Sequence, residues 1–134
     1  MPFDSLAAPA LVERTAAALT KRGYAAIVVA DGAAALAKIK ELIPAGASVM
    51  NGASKTLDQI GYLALVKSGQ QTWKDLHASV WGAKDPADRT RLRKEATMSD
   101  YYVGSVNALV ETGEFLNGSN TGSQLPHIAF NSTT

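Results

Sequence analysis

From Asp4 to Arg22, apolar and small residues return every three or four positions. Leu11, Val12, Thr15, Ala16 and Leu19 fall on one helical face, and Gly23 follows as a natural stop. The period then vanishes. Ala25-Ala26-Ile27-Val28-Val29-Ala30 is apolar throughout and β-branched in its middle, the pattern of a strand covered on both faces. Asp31 offers an N-cap to a second helix with Leu36, Ile39, Leu42 and Ile43 as its buried stripe, and Pro44-Ala45-Gly46 ends it. Residues 47–51 form a second short strand. They run into Gly52-Ala53-Ser54-Lys55-Thr56 and a third helix, in which Thr56 and Gln59 have capping-box spacing. Strand, helix, strand, helix with short connections predicts parallel βαβ units. Residues 25–30 and 47–51 are then adjacent parallel strands joined by a helix over 31–43.

Further on, Trp73, Leu76 and Val80 mark one face of a helix over residues 72–82, and Asp85-Pro86 opens a charged helix through Glu95. After Ser99-Asp100 the period changes again. Residues 108–117 read as two short strands around Thr112-Gly113, a hairpin or a strand broken by a tight turn. Residues 118–134 are rich in Gly, Ser, Asn and Thr and read as loop, with one apolar piece at Ile128-Ala129-Phe130. The expected fold class is α/β, a parallel or mixed sheet with helices on both faces, in one domain over residues 1–134.

Composition narrows the function classes. The 134 residues suit one domain, and a chain of this size buries roughly two-thirds of its unfolded surface. Thirteen basic and twelve acidic side chains leave a net charge of +1, which removes the electrostatic case for nucleic acid or an anionic membrane as main partner. The absence of cysteine excludes disulfides, thiolate catalysis, Cys-type zinc sites and iron–sulfur clusters held by this chain. The first ten residues lack a basic region ahead of an apolar stretch, so no secretory signal is expected. The longest apolar run, residues 25–30, is too short to span a bilayer. The expected location is the cytoplasm.

Three segments could carry chemistry. Asn51-Gly52-Ala53-Ser54-Lys55-Thr56 lies where a strand ends and a helix begins, the place where open α/β sheets collect ligands. A helix N-terminus there suits phosphate or carboxylate. Gly52 would let backbone approach the anion, Ser54 and Thr56 would donate hydroxyls, and Lys55 would add charge. The Gly-Lys-Ser/Thr adjacency of a Walker A loop is missing, and a plain βα turn with a capped helix fits the same residues. Glu111, beside the Thr112-Gly113 turn, could serve as base or nucleophile, or stand as an exposed turn acid. The loop containing Asn120, Thr121, Gly122 and Ser123 could cradle a ligand or simply be solvated. His77 and His127 are the only histidines, too few for a metal site, so no metal is expected. Lys84, Arg89, Arg91, Arg93 and Lys94 alternate with Asp85, Asp88 and Glu95, the pattern of a solvated helix face. Trp73 and Trp81 read as core.

Several stretches, in this order, resemble the lactate-utilization (LUD) domain family. They are Glu13-Arg14-Thr15, the run from Asn51 to Gly61, Trp73-Lys74-Asp75-Leu76-His77, the run from Ser99 to Ala108, Glu111-Thr112-Gly113-Glu114, and Asn120-Thr121-Gly122-Ser123-Gln124-Leu125-Pro126-His127. The resemblance covers nearly the whole chain. It implies a fold like that of ribose-5-phosphate isomerase and CoA transferases, in which a Gly/Ser/Thr loop after an early strand holds phosphate or acyl-CoA groups. The loop from Asn51 to Thr56 looks like its counterpart. CoA transferases place a nucleophilic Glu before Asn-Gly, and Glu111-Thr112-Gly113 is similar, with Thr in place of Asn.

Family members are associated with oxidation of lactate to pyruvate beside iron–sulfur partner proteins. The resemblance therefore implies a subunit or accessory protein that binds a small carboxylate or phosphorylated ligand, with clusters only on a partner. Two alternatives stand: an isomerase or acyl-transfer enzyme using Glu111, and a non-catalytic scaffold. The family domain normally continues past Ile128-Ala129-Phe130 with further strand and helix. The expectation is thus a C-terminally shortened domain whose open edge invites a second copy or another partner.

Overall fold

A computed structural model describes residues 5–131. These divide into two compact units, one formed by residues up to 30 with 106–118, the other by 31–105 with 119 onward.

In the first unit, helix α1 (Pro9–Lys21) begins with proline in its first turn. That proline gives up an N–H that would lack a partner anyway, so the helix starts later than the apolar period alone predicts. It ends at Gly23, whose φ of +92° favours glycine. Tyr24 N–H closes the end by donating to the Leu19 carbonyl at 3.1 Å. Strands β4 (Ala108–Leu109) and β5 (Phe115–Leu116) pair antiparallel, the hairpin foreseen around Thr112-Gly113. Tyr24 meets Phe115 edge to face at 5.6 Å.

Residues 25–30 do not form the expected strand. They are unpaired, with Ile27 50% and Val28 61% exposed. An apolar β-branched pattern states a preference for burial, but a strand also needs a neighbour for its backbone N–H and C=O groups. The neighbour assigned to it, residues 47–51, already has strands on both sides.

That neighbour is β1 (Ser48–Asn51), the centre of a three-stranded sheet in the second unit. Strand β2 (Lys74–Asp75) lies on one side and β3 (Tyr101–Val103) on the other, both parallel to it. Register is pinned at the sheet's start. Ser48 N–H and hydroxyl both donate to the Asp100 carboxylate, at 2.8 and 2.7 Å, and Asp100 N–H donates back to the Ser48 hydroxyl at 3.0 Å. These bonds hold the Asp100 carboxyl below its ordinary pKa, because they favour the charged form.

Alternation along the strands sorts helices to the two faces. Val49, Tyr101 and Val103 pack with Leu36 and Ile39 of α2 (Gly32–Leu42), Leu57 of α3 (Lys55–Gln59) and Tyr62 of α4 (Tyr62–Ser68). Met50 and Tyr102 point the other way, toward Leu76 and Val80 of α5 (Leu76–Gly82) and Leu92 of α6 (Pro86–Glu95). The fold is α/β with helices on both faces, as expected. Trp73 is 5% exposed and stacks on Tyr62 at 6.2 Å. Its helix starts later than predicted, because Asp75 caps α5 by accepting from Ala78 N–H at 3.1 Å, leaving Lys74–Asp75 to pair with β1. Asp31 and Asp85 cap α2 and α6 as read from sequence.

The cap of α3 is a correction. Ser54, not Thr56, accepts from a backbone N–H, that of Leu57 at 3.1 Å. Replacing Ser54 with Ala is expected to lower stability by about 1 kcal/mol, measured by urea unfolding, with Thr56→Ala near neutral. The stretch after residue 118 is also more ordered than a plain loop: residues His127–Asn131 wind into a π-helical turn. No helix among the described residues is long and apolar enough to cross a membrane.

Candidate functional site

The order β2-β1-β3 places β1 and β3 at a topological switch point: one connection leaves β1 toward β2, and the next crosses to the opposite edge. In open α/β sheets the crevice beyond the carboxyl ends of such strands is the habitual ligand site. A cavity of about 240 Å³ lies there, bordered by Asn51 at the end of β1, by Gly52 and Ala53 after it, and by Tyr102 of β3. Ser119, Asn120, Thr121, Ser123 and Gln124 form a second wall. His77 and Trp81 of α5, Arg93 of α6 and His127 complete it.

Gly52 is needed for close approach. A Cβ there would come within 2.3 Å of the Tyr102 hydroxyl oxygen and 3.1 Å of Gln124 Nε2. Tyr102 is held from its other side by His127, whose ring stacks on it at 4.7 Å and 14°. His127 is 5% exposed, and its Nδ1 lies 3.2 Å from the hydroxyl of fully buried Ser99. Asn51 is a buried polar side chain, with Nδ2 donating a long 3.4 Å bond to the Gly52 carbonyl. Buried polar groups beside a cavity are where binding specificity is built.

Electrostatically the cavity is one-sided. Burial pushes the His127 imidazole below its ordinary pKa. Burial does the same to His77, against an opposing pull from Asp75. Burial also raises the Tyr102 phenol, so it stays protonated. Two neutral imidazoles, a phenol, amides and hydroxyls therefore surround one permanent charge, Arg93, and no carboxylate lines the wall among the described residues. The one full charge on the wall is positive, and hydroxyl and amide N–H donors stand around it. No group of three His, Cys, Asp or Glu side chains able to hold a metal occurs among the described residues.

The residues named from sequence separate into three groups. Asn51, Gly52, Asn120, Thr121 and Ser123 line one cavity. Gly122 sits within the same loop at φ +73°. Ser54 spends its hydroxyl on the α3 cap and on Ser105, at 2.9 Å, while Lys55 and Thr56 are exposed; none of the three lines the wall. Glu111 belongs to the first unit, where its half-exposed carboxylate accepts from Arg14 Nε.

Sequence reading weighs His77 and His127 only as metal ligands, puts Arg93 on a solvated face and gives Tyr102 no role. It places Trp81 in the core, where the structure corrects it: Trp81 is 51% exposed. The available signal was their spacing: His77 and Trp81 share a face of α5 four residues apart, as Arg89 and Arg93 do on α6.

A family model of the LUD domain matches residues 12–130 of this chain. No curated protein and no solved structure matches it at a significant level.

Proposed function

The chain belongs to the LUD domain family, a lactate-utilisation-related domain, and from that premise we propose that it is a subunit or accessory protein in the oxidation of lactate to pyruvate. Its part is to bind a small anion in the cavity beyond β1 and β3. The observation that carries this reading is the cavity wall itself, where Asn51, Gly52 and the loop around Asn120–Ser123 converge around one cation with no carboxylate. A volume near 240 Å³ suits a ligand of a few heavy atoms rather than a nucleotide. With no cysteine in the chain, the electrons of such an oxidation would pass to clusters on a partner protein.

Titration with sodium L-lactate at constant ionic strength, read by melting temperature, tests the proposal. Lactate is expected to stabilise the wild-type chain, since a ligand that binds only the folded state raises its stability by mass action. Exposed Asn120, changed to Asp, sets a carboxylate at the wall and is expected to weaken binding roughly tenfold through like-charge repulsion while leaving the unliganded melt unchanged. If neither L-lactate nor inorganic phosphate shifts the wild-type melt, the anion-site reading fails.

A further inference from the structure

The sequence presents Arg89, Arg91 and Arg93 as one charged face, but the fold gives them different work. Arg91 points to its own helix, bonding Glu95 at 2.8 Å and Asp88 at 3.3 Å. Arg89 and Arg93, four residues apart, turn to α5, where their guanidinium carbons lie 5.7 and 5.5 Å from the centre of the Trp81 ring. Arg89 is further fixed by donating to the Ala83 carbonyl at 2.9 Å. Arg93 has no carboxylate within ion-pair distance among the described residues, and it lines the cavity. Trp81 is 51% exposed and touches His77 at 5.8 Å. An indole this exposed contributes little to a core, and a half-buried guanidinium without a counter-ion is costly unless something else steadies it.

We propose that Arg93 is the anion-binding charge of the cavity and that Trp81 is the positioning residue that holds it there. The proposal rests on the anion-site reading above and adds its electrostatic anchor. An aromatic face attracts a guanidinium without neutralising it. The Trp81 ring therefore orders Arg93 while leaving its N–H donors for a ligand, which a carboxylate partner would not do. A guanidinium fixed beforehand loses less freedom when it binds, and its planar fork matches the two oxygens of a carboxylate or a phosphoryl group.

The test uses the full chain, with sodium L-lactate and inorganic phosphate as separate probes against sodium chloride of equal ionic strength. Arg93→Gln is expected to lose roughly tenfold or more in affinity, the scale of a hydrogen bond to a charged group. It should also lose most of the salt dependence of binding. Trp81→Leu is expected to lose roughly two- to fivefold, with Trp81→Phe restoring part of that loss, a rescue that simple bulk does not provide. A second readout needs no variant of Arg93. Ligand should perturb the emission of exposed Trp81 and leave buried Trp73 silent, so the signal disappears in Trp81→Phe. Wild-type binding of either probe with Arg93→Gln equally tight would overturn this inference and spare the anion site. Absence of binding by the wild type to both probes would sink the two together.

Discussion

Trp73→Ala is expected to cost about 3–5 kcal/mol, the range for deleting a large buried aromatic, and to lower the melting temperature by on the order of 10–20 °C. Trp73 is 5% exposed, stacks on fully buried Tyr62, and packs in the cluster that holds Val49 to the α2–α4 face of the sheet. Its removal leaves a void that neighbours on two helices and the central strand cannot fill without shifting the strand. Trp73→Phe keeps the stack and most of the volume, so its loss should be well under half as large. Urea unfolding of the two variants checks both numbers. An alanine variant within 1 kcal/mol of wild type would mean that the core lies elsewhere.

The second large effect is expected at Gly52. Placing a Cβ 2.3 Å from the Tyr102 hydroxyl oxygen forces that ring to move, and the ring is one half of the stack with His127. Gly52→Val therefore acts twice: it fills the backbone's approach to the cavity and disturbs the wall opposite. Lactate-induced stabilisation should be lost altogether, with destabilisation of about 1–3 kcal/mol, typical of overpacking. Gly52→Ala combined with Tyr102→Phe separates the causes, because it removes the oxygen that the new methyl would strike. Recovery of stability without recovery of binding would assign the two effects to packing and to access respectively.

How much of this was legible beforehand depends on the range over which each signal acts. Caps act locally. Asp31, Asp85 and the stop at Gly23 are visible in the sequence because the chemistry that selects them lies within three residues. Residues 25–30 mislead because the apolar pattern carries no information about whether a neighbouring edge is free. Lys74–Asp75 is a strand only because β1 lies beside it; alone, those residues belong equally to the helix they precede. The same division holds at the cavity. Asn51, Gly52 and the Asn120–Ser123 loop betray themselves as small polar residues at the strand ends and loops of an α/β pattern. Arg93 and Trp81 do not, because what brings them together is the packing of α6 against α5, and their sequence pattern is that of any solvated helix.

The strand order also determines when the fold can form. Ser48 and Asp100, the pair that clamps β1 to β3, are 52 residues apart, and both flanks of β1 are supplied by chain made after it. At synthesis rates of about 5–20 residues per second, the central strand waits roughly 3–10 s before its second partner exists. During that interval Val49 gains its α2–α4 cover early, whereas Met50, on the other face, waits for Val80 and Leu92 to be made. Non-local parallel pairing of this kind is intrinsically slow to nucleate. Expression yield is therefore expected to depend on translation speed between Asn51 and Val103.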